Sequence, residues 1–244
     1  MKINKNNIQN KDRLIVALDV PDEKTALSLV DKIGDSVGFY KIGLELFASG
    51  FGRGLIDTLK KMGHRVFVDI KLYDIPETVS RAVKQISESG ADFLTVHGDK
   101  SIIEAAVLAA DKSNNGLQIL SVTALTSLNK SDIKNLGFEC DIGELVKMRV
   151  QNAVDCGCHG VICSGGDIKS IRDMFGDDLI LVTPGVRSVN SPMKHDHKRP
   201  STCDEIIKNG GDYMVVGRPI RDAADPKLAA EGIIMEINNA FKTS

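Results

Sequence analysis

Apolar residues recur along this chain in two alternating rhythms. Short runs dense in Val, Ile, Leu and Phe are each followed by a longer stretch in which apolar positions return every three to four residues. The first run, Arg13-Leu14-Ile15-Val16-Ala17-Leu18-Asp19-Val20, gives way to such a stretch at 21–33. Further runs lie at 37–43, from 67 onward, and at 92–97, 117–125, 160–163, 179–183 and 212–216. Between them, helical periodicity is read in a Gly-interrupted region ending at Met62 and at 76–88, 101–111, 131–136, 142–154 and 168–175, with a closing helix at 226–241. The short β-branched and aromatic runs predict strands, and the intervening stretches predict amphipathic helices.

Eight strands alternating with helices imply parallel pairing through right-handed crossovers. Eight such units in 244 residues favour one closed (β/α)8 TIM barrel of class α/β over residues 13–244, preceded by a polar, loosely held lead-in at 1–12. A doubly wound open sheet is the competing architecture, but no Gly-x-Gly-x-x-Gly opens the first helix. In a barrel of this kind the active site lies at the C-terminal ends of the strands. That rule directs attention to Asp19 after the first strand, Lys41 late in the second, and the third run, Phe67-Val68-Asp69-Ile70-Lys71-Leu72-Tyr73-Asp74-Ile75-Pro76-Glu77-Thr78.

Residues two apart in a strand share a face, so Asp69 and Lys71 are expected side by side. Buried charge is costly unless paired, and an alternation of Asp and Lys around the mouth lowers that cost. At an effective dielectric of 20, one pair about 4 Å apart is worth roughly 4 kcal/mol. The pairing keeps Lys71 protonated, so it is expected to act as a proton donor; a structural salt bridge at the rim is the alternative. Asp74 reads either as a functional acid or as a helix cap, although Pro76 at the first helical position makes Ile75 the cap.

The loops after the seventh and eighth strands, Thr183-Pro184-Gly185-Val186-Arg187 and Val216-Gly217-Arg218-Pro219, each combine a glycine with an arginine. Barrels often bind phosphate there through backbone N–H groups, and arginine can grip two oxygens. Residues 188–200 are polar, basic and aperiodic, which suggests a lid closing on that phosphate. His97 reads as a rim histidine, and His64 and His159 as residues of the opposite end. His195 and His197 lack the acidic cluster that would complete a metal site.

Composition narrows the function further. With 42% apolar and 26% charged residues and a net charge of −2, the chain reads as a soluble cytoplasmic protein with no electrostatic case for nucleic acid or an anionic membrane. No apolar run approaches the ~20 residues that span a bilayer, and no signal-peptide core opens the chain. The five cysteines (Cys140, Cys156, Cys158, Cys163 and Cys203) fit neither a disulfide framework nor zinc spacing and are read as structural thiols.

The run Asp69-Ile70-Lys71-x-x-Asp74-Ile75-Pro76-x-Thr78 resembles the signature of the orotidine 5′-phosphate decarboxylase family. The likeness extends from Ala17-Leu18-Asp19 to Val216-Gly217-Arg218 in the spacing of the bacterial branch. It implies a barrel, free of metal and cofactor, that converts orotidine 5′-phosphate (OMP) to UMP and carbon dioxide, the last step of de novo UMP biosynthesis. It also implies roles by position. Lys71 donates a proton to C6 of the pyrimidine, with Asp69 facing the departing carboxylate; Asp74 and Lys41 complete the catalytic set. Asp19 and Lys41 hold the ribose hydroxyls, Thr126 touches substrate, and Pro184 lines the pyrimidine pocket. Arg187, Gly217 and Arg218 grip the phosphate. Asp74, Ile75 and Thr78 reach the site of a second subunit, which makes the protein a homodimer.

One position departs from the family pattern. A lid glutamine within a Gln-Lys-Arg run is replaced in Asp196-His197-Lys198-Arg199. His197 cannot reproduce an amide's donor-and-carbonyl pattern, so lid closure or affinity is expected to differ or to depend on pH. Two rivals stand beside this reading. The first is the magnesium-dependent keto-sugar-phosphate decarboxylases and hexulose-phosphate synthases, which share the third-strand motif but carry an acid where this chain has Lys41. The second is a non-catalytic sensor of phosphorylated ligands, which would need a damaged catalytic set.

Overall fold

A computed structural model describes residues 8–125, 130–135, 137–187 and 201–243. Eight parallel strands close into a barrel: β1 (Leu14–Ala17), β2 (Phe39–Gly43), β3 (Arg65–Leu72), β4 (Phe93–His97), β5 (Gln118–Val122), β6 (Gly160–Ile162), β7 (Ile180–Pro184) and, after a short pair β8 (Val186–Arg187) and β9 (Ser201–Thr202), β10 (Tyr213–Val216). β10 returns to β1, pairing Ile15 with Val215, and the ring has no free edge. The class expected from the periodicity is therefore the one observed.

Alternation along each strand divides the apolar residues into two clusters. Outward residues such as Val16, Ile42, Val68, Leu94 and Val96 pack against the surrounding helices. Inward residues, among them Ile15, Phe67, Leu120, Ile162 and Val182, fill the barrel. The helix Pro76–Glu88 shows how the outer layer forms. Ile75 is its cap and Pro76 occupies the first turn, where a missing N–H costs nothing, while Val79, Val83 and Ile86 fall on one buried face. Each such side chain contributes about 1.5–3 kcal/mol through burial.

The N-terminal end of the barrel is sealed by aromatic rings. Phe93 meets Phe39 and Tyr213 edge-on, with ring centroids 5.1 and 5.3 Å apart. The Arg65 guanidinium caps the floor 4.1 Å from the centre of the Phe39 ring. Among the described residues, no comparable ring cluster fills the other end, where charged side chains from β2 and β3 face an opening also lined by Val122, Ile162 and Val215.

β1 is shorter than the apolar run that announced it, and Asp19 falls in the loop beyond it, as expected. Three features had not been anticipated: the β8–β9 pair, the one-turn helix Arg218–Arg221 and the helix Cys203–Lys208. That helix carries a reciprocal cap, in which the Thr202 side chain accepts from the Glu205 amide and Glu205 reaches back to the Thr202 amide. The expected lid at 188–200, including His197, and the expected contact residue Thr126 lie outside the described residues.

Candidate active site

The polar end of the barrel opens into a cavity of about 500 Å³. Its lining includes Asp19, Lys41, Asp69 and Lys71 together with Arg187 and Arg218. Pro184 and Gly217 also border it. Three separate stretches, the ends of β1–β3, of β7 and of β10, thus deliver their chemistry to one space.

The four charges form a chain of alternating sign. Lys41 Nζ lies 2.8 Å from Asp19 Oδ1 and 3.6 Å from Asp69 Oδ2. Lys71 Nζ lies 2.9 Å from Asp69 Oδ1. Lys41 is buried, and Asp69 sits between two ammonium groups. Burial alone would raise the Asp69 carboxyl. The charges of Lys41 and Lys71, helped by hydrogen bonds from Lys71 and Thr95, more than offset it and hold that carboxyl below its usual range. Asp69 is consequently an anion at neutral pH, fixed beside an amine.

The backbone that brings Lys71 to this position is irregular. The β3–β4 register shifts between Val68, opposite Leu94, and Leu72, opposite Val96. Within that shift Lys71 adopts φ +50°, the left-handed region that long side chains avoid. Such a conformation costs roughly 1–3 kcal/mol and persists only where surroundings over-determine it. Strand parity therefore placed Asp69 and Lys71 on one side for an incomplete reason, because the bulge sets the final aim of the lysine.

Glycine at position 43 also proves necessary. A Cβ there would lie 2.8 Å from Asp19 Oδ1 and 3.1 Å from Lys41 Nζ, so the Asp19–Lys41 pair occupies the space a side chain would fill. Arg221, which sequence reasoning passed over, also borders the cavity. It donates to the Asp19 carbonyl at 2.7 Å and is held by Asp222, whose hydrogen bonds raise the arginine further above its ordinary value. Its position one helical turn after Arg218 could have marked it.

The remaining expected residues stand apart from the cavity within one chain. Asp74 and Ile75 are exposed and Thr78 is half-buried; Asp74 accepts from the Ile75 amide at 2.7 Å. His97 packs against the Tyr73 ring, and burial, with Arg149 and Lys71 nearby, lowers its pKa. The five cysteines carry free thiols. Burial pushes Cys158 up to about 11 and Cys163 and Cys203 up to about 12, which leaves those three unreactive.

A closed barrel with a paired lysine–carboxylate network at the C-terminal ends of its strands defines the chain as a (β/α)8-barrel enzyme. Comparison with known proteins gives the family. Residues 12–233 match the model of the orotidine 5′-phosphate decarboxylase / HUMPS family. The chain is 49% identical to the orotidine 5′-phosphate decarboxylase of Methylococcus capsulatus, over 94% of this chain and 93% of that one. It is 45% identical to the enzyme of the same name from Rhodopseudomonas palustris strain BisB5, over 95% and 97%. The crystal structure of orotidine 5′-phosphate decarboxylase from Lactobacillus acidophilus superposes with a TM-score of 0.81 at 33% identity, covering 93% of this chain and 99% of that one. The chain belongs to the orotidine 5′-phosphate decarboxylase / HUMPS family.

Proposed function

We propose that this protein decarboxylates OMP to UMP and carbon dioxide, the last step of de novo UMP synthesis, without a metal ion and with Lys71 as the proton donor. The observation that carries this reading is the Asp19–Lys41–Asp69–Lys71 chain at the cavity wall, in a sequence close to half identical to a relative bearing that name. The C6–carboxylate bond breaks, carbon dioxide departs, and the electron pair stays on C6. That carbon then takes a proton from Lys71 Nζ, and the resulting amine is reprotonated from water. Nothing in the substrate delocalises the pair as an imine or thiazolium would, so fixed charge must stabilise the transition state.

Asp69 has two tasks in this scheme: it holds the ammonium in place and it presents negative charge to the substrate carboxylate, favouring its loss. Asp19 and Lys41 take the ribose hydroxyls. Pro184 borders the base, and Arg187, Arg218 and the Gly217 backbone take the phosphate. Phosphate binding far from the reacting carbon supplies energy for assembling the site through a lid at 188–200 that carries His197, while Thr126 touches substrate. Asp74, Ile75 and Thr78 serve the site of a second subunit in a homodimer. The exposure of Asp74 and Ile75 at the cavity end of the barrel supports that assignment, as do Tyr73, 66% exposed, and Leu44, 63% exposed, which follow the adjacent strands β3 and β2.

The magnesium-dependent branch fits less well. Lys41 Nζ sits between two carboxylates at 2.8 and 3.6 Å, where an ammonium already supplies the positive charge and opposes a second cation. The test is the ultraviolet absorbance change of OMP with the protein in EDTA. Conversion to UMP at an undiminished rate supports the proposal. No conversion by folded protein, or conversion restored by magnesium, overturns it.

A further inference from the structure

We propose that Thr95 is a positioning residue for proton transfer, a hydroxyl clamp that locks the Asp69 carboxylate and the Lys71 backbone to each other. The inference rests on the reading of Lys71 as the proton donor and adds a component to it. Thr95 lies on β4, inward-facing between the outward Leu94 and Val96, and it is fully buried. Those two neighbours are the residues between which the β3–β4 register slips. Where the bulge withdraws β3 from the regular ladder, the Lys71 amide donates instead to Thr95 Oγ1 at 3.0 Å. The same hydroxyl donates its own proton to Asp69 Oδ1 at 2.9 Å.

One side chain therefore satisfies two groups that the bulge leaves in need of partners. A buried amide without an acceptor is costly, so the acceptor role helps hold Lys71 in its left-handed conformation. The donor role is directional. The hydroxyl proton is committed to Oδ1, the oxygen that also receives Lys71 Nζ at 2.9 Å, leaving Oδ2 toward Lys41. Thr95 is absent from the cavity lining, so substrate does not meet it, and its influence passes through Asp69 and Lys71. Serine preserves both roles. Valine has the same shape and neither role.

Charged and titratable neighbours set the direction of the pH effect. Asp69 faces Lys41 from β2 and Lys71 from its own strand, with Asp19 beyond Lys41 and His97 further along β4. The Thr95 hydrogen bond is one of the influences that lower the Asp69 pKa. Removing it raises that pKa, so the acid limb of the rate profile moves to higher pH while the lysines remain.

The test compares wild type, Thr95→Ser and Thr95→Val for OMP turnover against pH, for UMP affinity by calorimetry, and for titration of the Asp69 carboxylate by carbon-13 NMR. Thr95→Val is expected to lower kcat roughly ten- to a hundredfold, the loss of one hydrogen bond to a charged group. UMP affinity and KM should stay within about twofold, because Thr95 does not touch ligand. The acid limb and the Asp69 midpoint should both move up in pH, and Thr95→Ser should restore all three. Wild-type kcat and an unmoved Asp69 midpoint in Thr95→Val would overturn the proposal. So would equal losses in the serine and valine variants, which would assign the effect to packing. Should Thr95→Val not fold, Thr95→Cys, a weaker donor, is expected to give the same shifts at smaller size. Wild-type protein without turnover would defeat the Lys71 reading, while the carbon-13 titration would still decide whether Thr95 governs Asp69.

Discussion

Among the described residues, Asp69 is the carboxylate that links the two ammonium groups of the site. Its depressed pKa has a consequence for stability with a definite sign. The ion pair contributes fully above the ordinary aspartate value near ~3.9, and that contribution is lost as pH falls through the lower folded value. Asp69→Asn should therefore flatten the decline in stability below about pH 4, measured by urea unfolding from pH 2 to 7; an unchanged acid slope would contradict the pairing. Gly43→Ala makes a different prediction. The clash is with the ends of two flexible side chains, so the fold should survive while the Asp19–Lys41 pair is displaced. Losing one charge-assisted hydrogen bond is worth roughly 1.5–3 kcal/mol, or about ten- to a hundredfold in kcat/KM. A melting temperature that falls steeply with kcat/KM intact would show the opposite arrangement. Neither the glycine's role nor Thr95 was legible in the sequence, because both depend on distances between strands that no local pattern encodes.

At the scale of elements, periodicity identified the eight barrel strands because each is apolar on both faces and bounded by a helix. The charged motif stood out because Asp69 and Lys71 interrupt such a run. The bulge in β3 escaped notice: it inserts no glycine or proline and shows only as the slip against β4. The helix Cys203–Lys208 was missed although Thr202-Cys203-Asp204-Glu205 has the spacing of a reciprocal cap; its six residues are too few for periodicity to register. That cap follows directly on β9, which holds Arg187 opposite Thr202. Thr202→Ala should therefore destabilise the protein by about 1 kcal/mol and weaken phosphate binding with it, read as a lower affinity for UMP but not for uridine. Equal weakening of both ligands would separate the cap from the phosphate site.

For the whole molecule, the barrel divides its labour between two ends. Aromatic rings and Arg65 seal one, and removing a ring there by Phe93→Ala should cost about 3–5 kcal/mol in calorimetric stability while leaving UMP affinity unchanged in the protein that remains folded. The other end holds the charges, and its exposed Asp74 and Ile75 fit a site completed by a second copy. Mixing inactive Lys71→Ala and Asp74→Ala proteins should restore turnover through heterodimers with one intact site; no recovery after subunit exchange would argue against sharing. The chemistry itself turns on delivery of the proton by the Lys71 ammonium. Its most direct measurement is single-turnover conversion of OMP by Lys71→Ala in EDTA, alongside UMP binding by the same variant. UMP should still bind while conversion slows by at least about a hundredfold, the lower range for a general acid. Conversion within about tenfold of wild type by a variant that binds UMP normally would contradict it.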